Sequence, residues 1–115
     1  MMKIARGDIW VANLDPTVGK EIQKTRPVVV VSNNVANEFS GTVTVVPVTS
    51  QKLSKIYPFE AIIPDGTPGL AKASKAKADQ IRTIDKSRLS QKLASLDAET
   101  IAEIDKAIKT HLDLH

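Results

Sequence analysis

The sequence predicts one small domain of the α+β class, mainly β, that closes with a C-terminal helix. Three observations support this fold class. The length of 115 residues suits one domain. Short runs rich in β-branched residues alternate with turn residues through residue 84. A single amphipathic helical pattern then covers residues 97–113. We therefore assign residues 1–115 to one domain.

Five apolar runs predict the strands of the sheet. They cover residues 9–14, 27–31, 42–48, 57–63 and 70–84. Four consecutive valines after Pro27 are typical of a strand that is buried on both faces. Pro47 cannot donate a hydrogen bond, so we expect an edge, a bulge or a strand end there. Residues 70–84 also contain many helix formers, but the turn signal at 64–69 favours a hairpin and hence a strand.

The remaining segments predict one long loop and the closing helix. The polar residues 17–25 form a loop of a length that is often functional. A short helical turn is expected around residues 86–89. Asp97 is a favourable N-cap for the C-terminal helix. One apolar stripe along that helix is formed by Ile101, Ile104, Ile108 and Leu112.

Composition excludes several kinds of active site. The chain has no cysteine, which excludes disulfides, thiolate zinc sites and cysteine nucleophiles. His111 and His115 are its only histidines, and both lie within the last five positions. A histidine-paired nucleophile or a histidine-ligated metal would have to be built from that tail. We therefore expect no metal and no cofactor, and any acid–base chemistry must use other groups.

The charge distribution is compatible with a polyanionic partner. The net charge is +3, and residues 1–57 carry seven Lys or Arg against four Asp or Glu. A solvated basic surface explains this excess equally well. No apolar run approaches the ~18 residues of a membrane helix, and residues 1–8 lack the apolar core of a signal peptide. We therefore expect a cytoplasmic protein without a membrane partner.

Three groups of polar residues lie where strands begin or end. Arg26 precedes the valine strand, where its guanidinium can bind a phosphate or simply cover the sheet edge. Thr49 and Ser50 follow the third strand, where their hydroxyls can donate to a phosphate or cap the strand. Gln80 and Arg82 would share one face of a strand and suit base edges and phosphates, or form a solvated face.

Several motifs occur in one order along nearly the whole chain, about residues 6–112. They read Gly-Asp-Ile-Trp at 7–10, Thr-Arg-Pro-Val-Val-Val at 25–30, Pro-Val-Thr-Ser at 47–50, and Asp-Gln-Ile-Arg-Thr-Ile-Asp-Lys at 79–86. Each motif alone is a weak signal, but their order at this length is specific. In this respect the sequence resembles the MazF/PemK family of toxin endoribonucleases.

The resemblance implies a fold, an activity and partners. The fold would be a small SH3-like or CcdB-like β-barrel with a C-terminal helix, working as a homodimer. The activity would be metal-independent cleavage of single-stranded RNA at short sequence motifs, which leaves 2′,3′-cyclic phosphate and 5′-hydroxyl ends. A cognate antitoxin would inhibit the toxin by threading a tail into the RNA groove.

The resemblance also implies the site residues. Arg26 and Thr49 match the catalytic residues of the family, and residues 16–25 match the segment that gates the RNA site. The 2′-hydroxyl of the substrate is the nucleophile, so no Cys, His or metal is obligatory. Arg26 is a poor base and would stabilise charge and be the candidate proton donor to the leaving oxygen, whereas Glu21, a substrate phosphate or water would be the base. The candidate RNA contacts are Lys20, Thr25, Ser50, Gln51, Gln80 and Arg82.

One departure and two alternatives remain open at this point. Family members are usually more aliphatic where this chain has Lys75 and Lys77. We expect these lysines to share one face, which is solvated or else makes the RNA groove more basic. One alternative function is a CcdB-like toxin that binds DNA gyrase and cuts nothing. The other is a degenerate member that only binds RNA or an antitoxin.

Overall fold

The computed structural model describes residues 3–115. Met1 and Met2 lie outside it, and they are the first residues of the N-terminal segment that was compared with a signal peptide. Within that range the chain forms seven strands, two α-helices and two 3-10 turns. The strands are β1 Asp8–Asn13, β2 Thr25–Val30, β3 Thr42–Thr49, β4 Glu60–Ile63, β5 Ser74–Lys77, β6 Arg82–Asp85 and β7 Leu89–Ser95. The helices are α1 Asn34–Phe39 and α2 Ala98–His111, and the 3-10 turns are Ala78–Gln80 and Lys86–Arg88.

The strands form one antiparallel sheet. Its order is β4-β5-β3-β2-β1-β7, and β6 pairs with the first half of β3. The mainly β fold with a C-terminal helix is confirmed. The barrel-like sheet is not closed, because the pairings found within residues 3–115 leave β4 and β7 unjoined at opposite ends.

Strand β3 lies at the centre of the sheet and changes its partner along its length. Residues 42–45 pair with β6, whereas Val48 and Thr49 pair with β5. Pro47 lies between these two pairings, opposite Val28 of β2. The strand neither ends at Pro47 nor lies at an edge, so these two of the three expectations are wrong. The irregularity that is found there is the break in the ladder between Val45, which pairs with β6, and Val48, which pairs with β5. A missing N–H donor is tolerated there because the ladder changes from one partner to the other.

The two faces of the sheet carry two hydrophobic clusters. Val28 and Val30 belong to one cluster and Val29 to the other, which confirms a strand buried on both faces. Helix α2 covers the second cluster with Ile104, which is 1% exposed. Its N-cap is the predicted Asp97, whose carboxylate accepts from the Thr100 N–H at 2.8 Å.

Several predicted boundaries are wrong. Residues 70–84 are two strands that are separated by the 3-10 turn Ala78–Gln80, so Gln80 and Arg82 do not share the face of one strand. The fourth strand begins at Glu60 rather than at residue 57. The closing helix ends at His111, and Leu112, the last residue of the predicted stripe, is 47% exposed.

Lys75 and Lys77 share one face, as expected, but that face is not solvated. Lys75 is 3% exposed, and its Nζ lies 3.0 Å from Glu60 Oε1. The Lys77 Nζ lies 3.0 Å from Glu60 Oε2. The solvated interpretation is therefore wrong, because a buried carboxylate on β4 compensates both ammonium groups.

Within residues 3–115, neither of the two helices, α1 and α2, has the length and apolar character that crossing a bilayer requires.

Candidate nucleic-acid site

Arg26 and Thr49 lie at neighbouring strand ends and line one cavity. Val28 pairs with Pro47 across β2 and β3. Residues two positions apart in a strand share a face, so Arg26 and Thr49 lie on the face of that pair. Both line a cavity of about 300 Å³ at this end of the sheet. The structure therefore brings together the two residues that the sequence singled out as catalytic.

The Arg26 side chain is half-buried and anchored on one edge. Its Nε donates to the carbonyl of Gln23 at 2.8 Å. The guanidinium makes no other hydrogen bond within residues 3–115. Both Nη groups are therefore available to a ligand. A guanidinium held in this way presents a planar pair of donors that matches two oxygens of a phosphate.

The Thr49 hydroxyl is oriented by the backbone that follows it. Its Oγ1 accepts from the Gln51 N–H at 3.2 Å. Because the oxygen serves as the acceptor in this bond, the hydroxyl proton is free to be donated. Ser50 and Gln51 are exposed and line the same cavity. Three of the predicted residues thus follow one another along this wall.

Another part of the cavity lining comes from a segment that sequence reasoning did not assign to the site. Leu70, Lys72 and Ser74 line the cavity, and the Ser74 hydroxyl donates to the Lys72 carbonyl at 3.1 Å. Lys72 is exposed and adds a cation beside Arg26 and Thr49. The turn at 64–69 was a usable signal, because a chain reversal before β5 returns residues 70–73 to the end of β3.

A second cavity, of about 320 Å³, gathers four other predicted residues. They are Lys20, Glu21, Gln80 and Arg82. The Glu21 Oε1 accepts from the Val18 N–H at 2.6 Å, which closes a tight turn of the loop. Glu21 does not line the cavity that holds Arg26 and Thr49. The structure therefore separates the candidate base from the two candidate catalytic residues.

Three side chains hold the loop over residues 14–24 against the sheet. The Gln80 Oε1 accepts from the Ile22 N–H at 2.9 Å, and its Nε2 donates to the Lys20 carbonyl at 3.3 Å. The Arg82 Nη1 donates to the Leu14 carbonyl at 3.1 Å. The Arg88 Nη1 donates to the Asp15 carbonyl in the loop and to the Asn13 carbonyl at the end of β1. Gln80 and Arg82 thus bind the backbone of this loop through the same amide and guanidinium groups that the sequence predicts as RNA contacts.

Two further observations complete the site. Thr25, a predicted RNA contact, is exposed opposite Asn13 at the start of β2 and lines neither cavity. Across residues 3–115, no three His, Cys, Asp or Glu side chains lie together as ligands for a metal ion. The first cavity has two cations and no carboxylate among its lining residues, whereas the second has two cations and the carboxylates Glu21 and Asp79. The cations and hydroxyls of the first cavity can bind phosphate oxygens. This arrangement suits a phosphodiester.

Comparison with known proteins gives consistent matches over almost the whole chain. Residues 5–112 match the family described as the PemK-like, MazF-like toxin of type II toxin–antitoxin systems. The chain is 45% identical over 114 residues to Endoribonuclease MazF9 of Mycobacterium tuberculosis, covering 95% of this chain and 96% of the relative.

Solved structures agree with the sequence relatives. A crystal structure of MazF from Deinococcus radiodurans superposes with a TM-score of 0.85 at 30% identity, covering 99% of this chain and all of that one. A crystal structure of MazE-MazF from the same organism gives a TM-score of 0.77 at 26% identity, covering both chains completely.

Proposed function

Because the chain belongs to the PemK-like, MazF-like toxin family of type II toxin–antitoxin systems, we propose that it is a sequence-specific endoribonuclease. It cuts single-stranded RNA without a metal ion and leaves 2′,3′-cyclic phosphate and 5′-hydroxyl ends. The observation that carries the proposal is the meeting of Arg26 and Thr49 in one cavity at the ends of β2 and β3. A phosphate in that cavity would be within reach of a guanidinium and a hydroxyl donor.

The reaction needs three things from the protein. The 2′-hydroxyl must lose its proton, the charge of the phosphorane must be stabilised, and the 5′-oxygen must gain a proton. The two Nη groups of Arg26 stabilise the developing charge, and Arg26 protonates the leaving oxygen. The Thr49 hydroxyl donates to a non-bridging oxygen. The nucleophile belongs to the RNA, which agrees with a chain that lacks cysteine.

The base is the part of the mechanism that requires movement. Glu21 is the protein carboxylate that we propose for it, and it lies in the neighbouring cavity on the loop 14–24. The loop must shift when RNA binds if Glu21 is to reach the 2′-hydroxyl. A phosphate of the substrate or a water molecule serves as the base if the loop stays in place.

The remaining contacts bind the RNA on either side of the scissile phosphate. Lys20, Thr25, Ser50, Gln51, Gln80 and Arg82 are the proposed RNA contacts. Lys72 adds a cation to the Arg26 cavity. We also propose that the chain works as a cytoplasmic homodimer and that a cognate antitoxin covers these two cavities. The structural likeness to MazE-MazF of Deinococcus radiodurans supports the proposal of an antitoxin.

A CcdB-like toxin that binds DNA gyrase is not favoured. Such a protein does not need an arginine and a threonine in one cavity, and the similar protein from Mycobacterium tuberculosis is named an endoribonuclease. The same pairing of Arg26 and Thr49 also argues against a degenerate family member that binds RNA without cutting it.

Two substitutions test the proposal. Arg26→Ala and Thr49→Ala should each abolish most RNA cleavage while the circular dichroism spectrum stays that of the native fold. Thr83→Ala is the matched control, because Thr83 is exposed on β6 and its hydroxyl pairs with that of Thr44 at 2.8 Å, away from both cavities. Cleavage at the native rate by both site variants would refute the site assignment.

A further inference from the structure

A buried lysine supports the loop that forms one wall of the Arg26–Thr49 cavity. Lys75 lies on β5 as the cross-strand partner of Thr49 and is only 3% exposed. Lysine is almost never fully buried unless its charge is paired. The nearby Lys72, which precedes β5, is exposed, so burial is specific to Lys75 and needs an explanation.

The ammonium group of Lys75 uses three acceptors. Its Nζ lies 2.9 Å from the Lys52 carbonyl, 3.3 Å from the Lys55 carbonyl and 3.0 Å from Glu60 Oε1. An ammonium has three donors, so its hydrogen-bonding capacity is filled. Two of the acceptors belong to the β3–β4 loop, residues 50–59, which begins with Ser50 and Gln51.

Glu60 keeps this buried charge balanced. Burial by itself raises the pKa of Glu60, but the Tyr57 N–H, Lys75 and Lys77 outweigh it and hold that pKa below its ordinary value. The carboxylate is therefore ionised at neutral pH and shared by two lysines. Lys77 also lies 3.9 Å from Asp79. The two lysines thus differ, because only Lys75 contacts the backbone of the loop.

The backbone of the loop shows that it is held in place. Lys52 has a φ of +55°, in the left-handed region that residues with a Cβ rarely adopt. Such a conformation persists only where the surroundings impose it. The Lys52 carbonyl is the acceptor at 2.9 Å from Lys75 Nζ. The buried ammonium is therefore in a position to impose this turn one residue after Gln51.

We propose that Lys75 is a positioning residue for RNA binding. Through its bond to the Lys52 carbonyl it fixes the turn at Lys52, and this turn holds Gln51 where its N–H donates to the Thr49 Oγ1. It does not contact the reacting phosphate. This inference rests on the proposed ribonuclease function and adds that an internal charge sets the shape of one wall of the RNA site.

Two matched substitutions test the proposal. Lys75→Met and Lys77→Met each remove one lysine from Glu60 and leave the other in place. In Lys75→Met, amide hydrogen exchange of Gln51, whose N–H donates to the Thr49 Oγ1, should accelerate by about tenfold, as expected when the charge-assisted hydrogen bond that holds the loop is lost. The KM for a short RNA should rise by a similar factor, kcat should change less, and cleavage should spread to additional sites.

The control should separate positioning from general stability. Lys77→Met should leave loop exchange, KM and the choice of cleavage site as they are in the native protein. Unchanged loop exchange and KM in Lys75→Met would overturn the proposal, as would equal effects of both substitutions. If the native protein does not cut RNA, the proposed function fails, and the exchange data still decide whether Lys75 holds the loop.

A measurement on the native protein covers the case in which Lys75→Met does not fold. Nitrogen-15 NMR of lysine side chains reports how fast each ammonium exchanges protons with water. The Lys75 ammonium should exchange at least about tenfold more slowly than that of exposed Lys72, since three acceptors hold its protons. Equal exchange rates would show that the three acceptors do not hold Lys75, and the proposal would be wrong.

Discussion

Arg26→Lys isolates what the guanidinium contributes beyond its charge. Arg26 uses Nε to bond the Gln23 carbonyl at 2.8 Å and retains two Nη donors for the substrate. A lysine at this position has one nitrogen, so it either keeps the anchor or contacts the phosphate. The variant therefore loses at least one preorganised donor to the phosphorane. Loss of one such donor costs about 10²–10³ in rate, or roughly 2.7–4 kcal/mol.

The assay is single-turnover cleavage of an RNA that carries a fluorophore and a quencher. Arg6→Lys is a matched control, because Arg6 also donates from Nε to a backbone carbonyl, that of Val31 at 3.0 Å, and pairs with Asp105 outside both cavities. We expect the control to cut RNA at the native rate and to unfold at a lower temperature, because one ammonium cannot keep both the Val31 bond and the two-oxygen contact with Asp105. If Arg26→Lys cuts within a few-fold of the native rate, the assignment of charge stabilisation to the Nη donors is refuted.

Three further predictions concern the hydroxyl donor, the core and the buried carboxylate. Thr49→Val keeps the shape of the side chain and should lower the cleavage rate by about 10²-fold through the loss of one donor; near-native cleavage would contradict this. Ile104→Ala should lower the free energy of unfolding in urea by about 2–5 kcal/mol, because Ile104 is 1% exposed in the core; a loss below about 1 kcal/mol would contradict it. The pKa of Glu60 lies below its ordinary value of 4.5 in the folded protein, so its stabilising effect is present above pH 4.5 and is lost as the pH falls through the folded pKa. Glu60→Gln should therefore show a smaller loss of stability below pH 4.5 than the native protein, and equal pH profiles would contradict this.

The features that the sequence predicts well are those that local patterns encode. The valine run after Pro27 places alternate side chains in two clusters, as a strand buried on both faces requires. Asp97 begins a helix because its carboxylate satisfies a free backbone N–H. Arg26 and Thr49 meet because both lie at strand ends, and antiparallel pairing brings those ends together.

The features that sequence reasoning missed depend on contacts between distant segments. Strand β7 is largely polar, and its pairing with β1 defines it. Helix α1 has six residues, too few to show a helical period. The strand period correctly places Lys75 and Lys77 on one face, but it cannot show that Glu60 and two loop carbonyls meet them there. Burial of a charge depends on its partners, and these lie 15–23 residues away in sequence.

The measurement that tests the central claim most directly is incubation of the purified protein, free of antitoxin, with a long RNA of mixed sequence in EDTA. The ends of any fragments are then identified chemically. We predict discrete fragments that end in 2′,3′-cyclic phosphate and begin with a 5′-hydroxyl. Intact RNA from a folded sample, or cleavage that appears only when a divalent metal is added, would contradict a metal-independent ribonuclease built on Arg26 and Thr49.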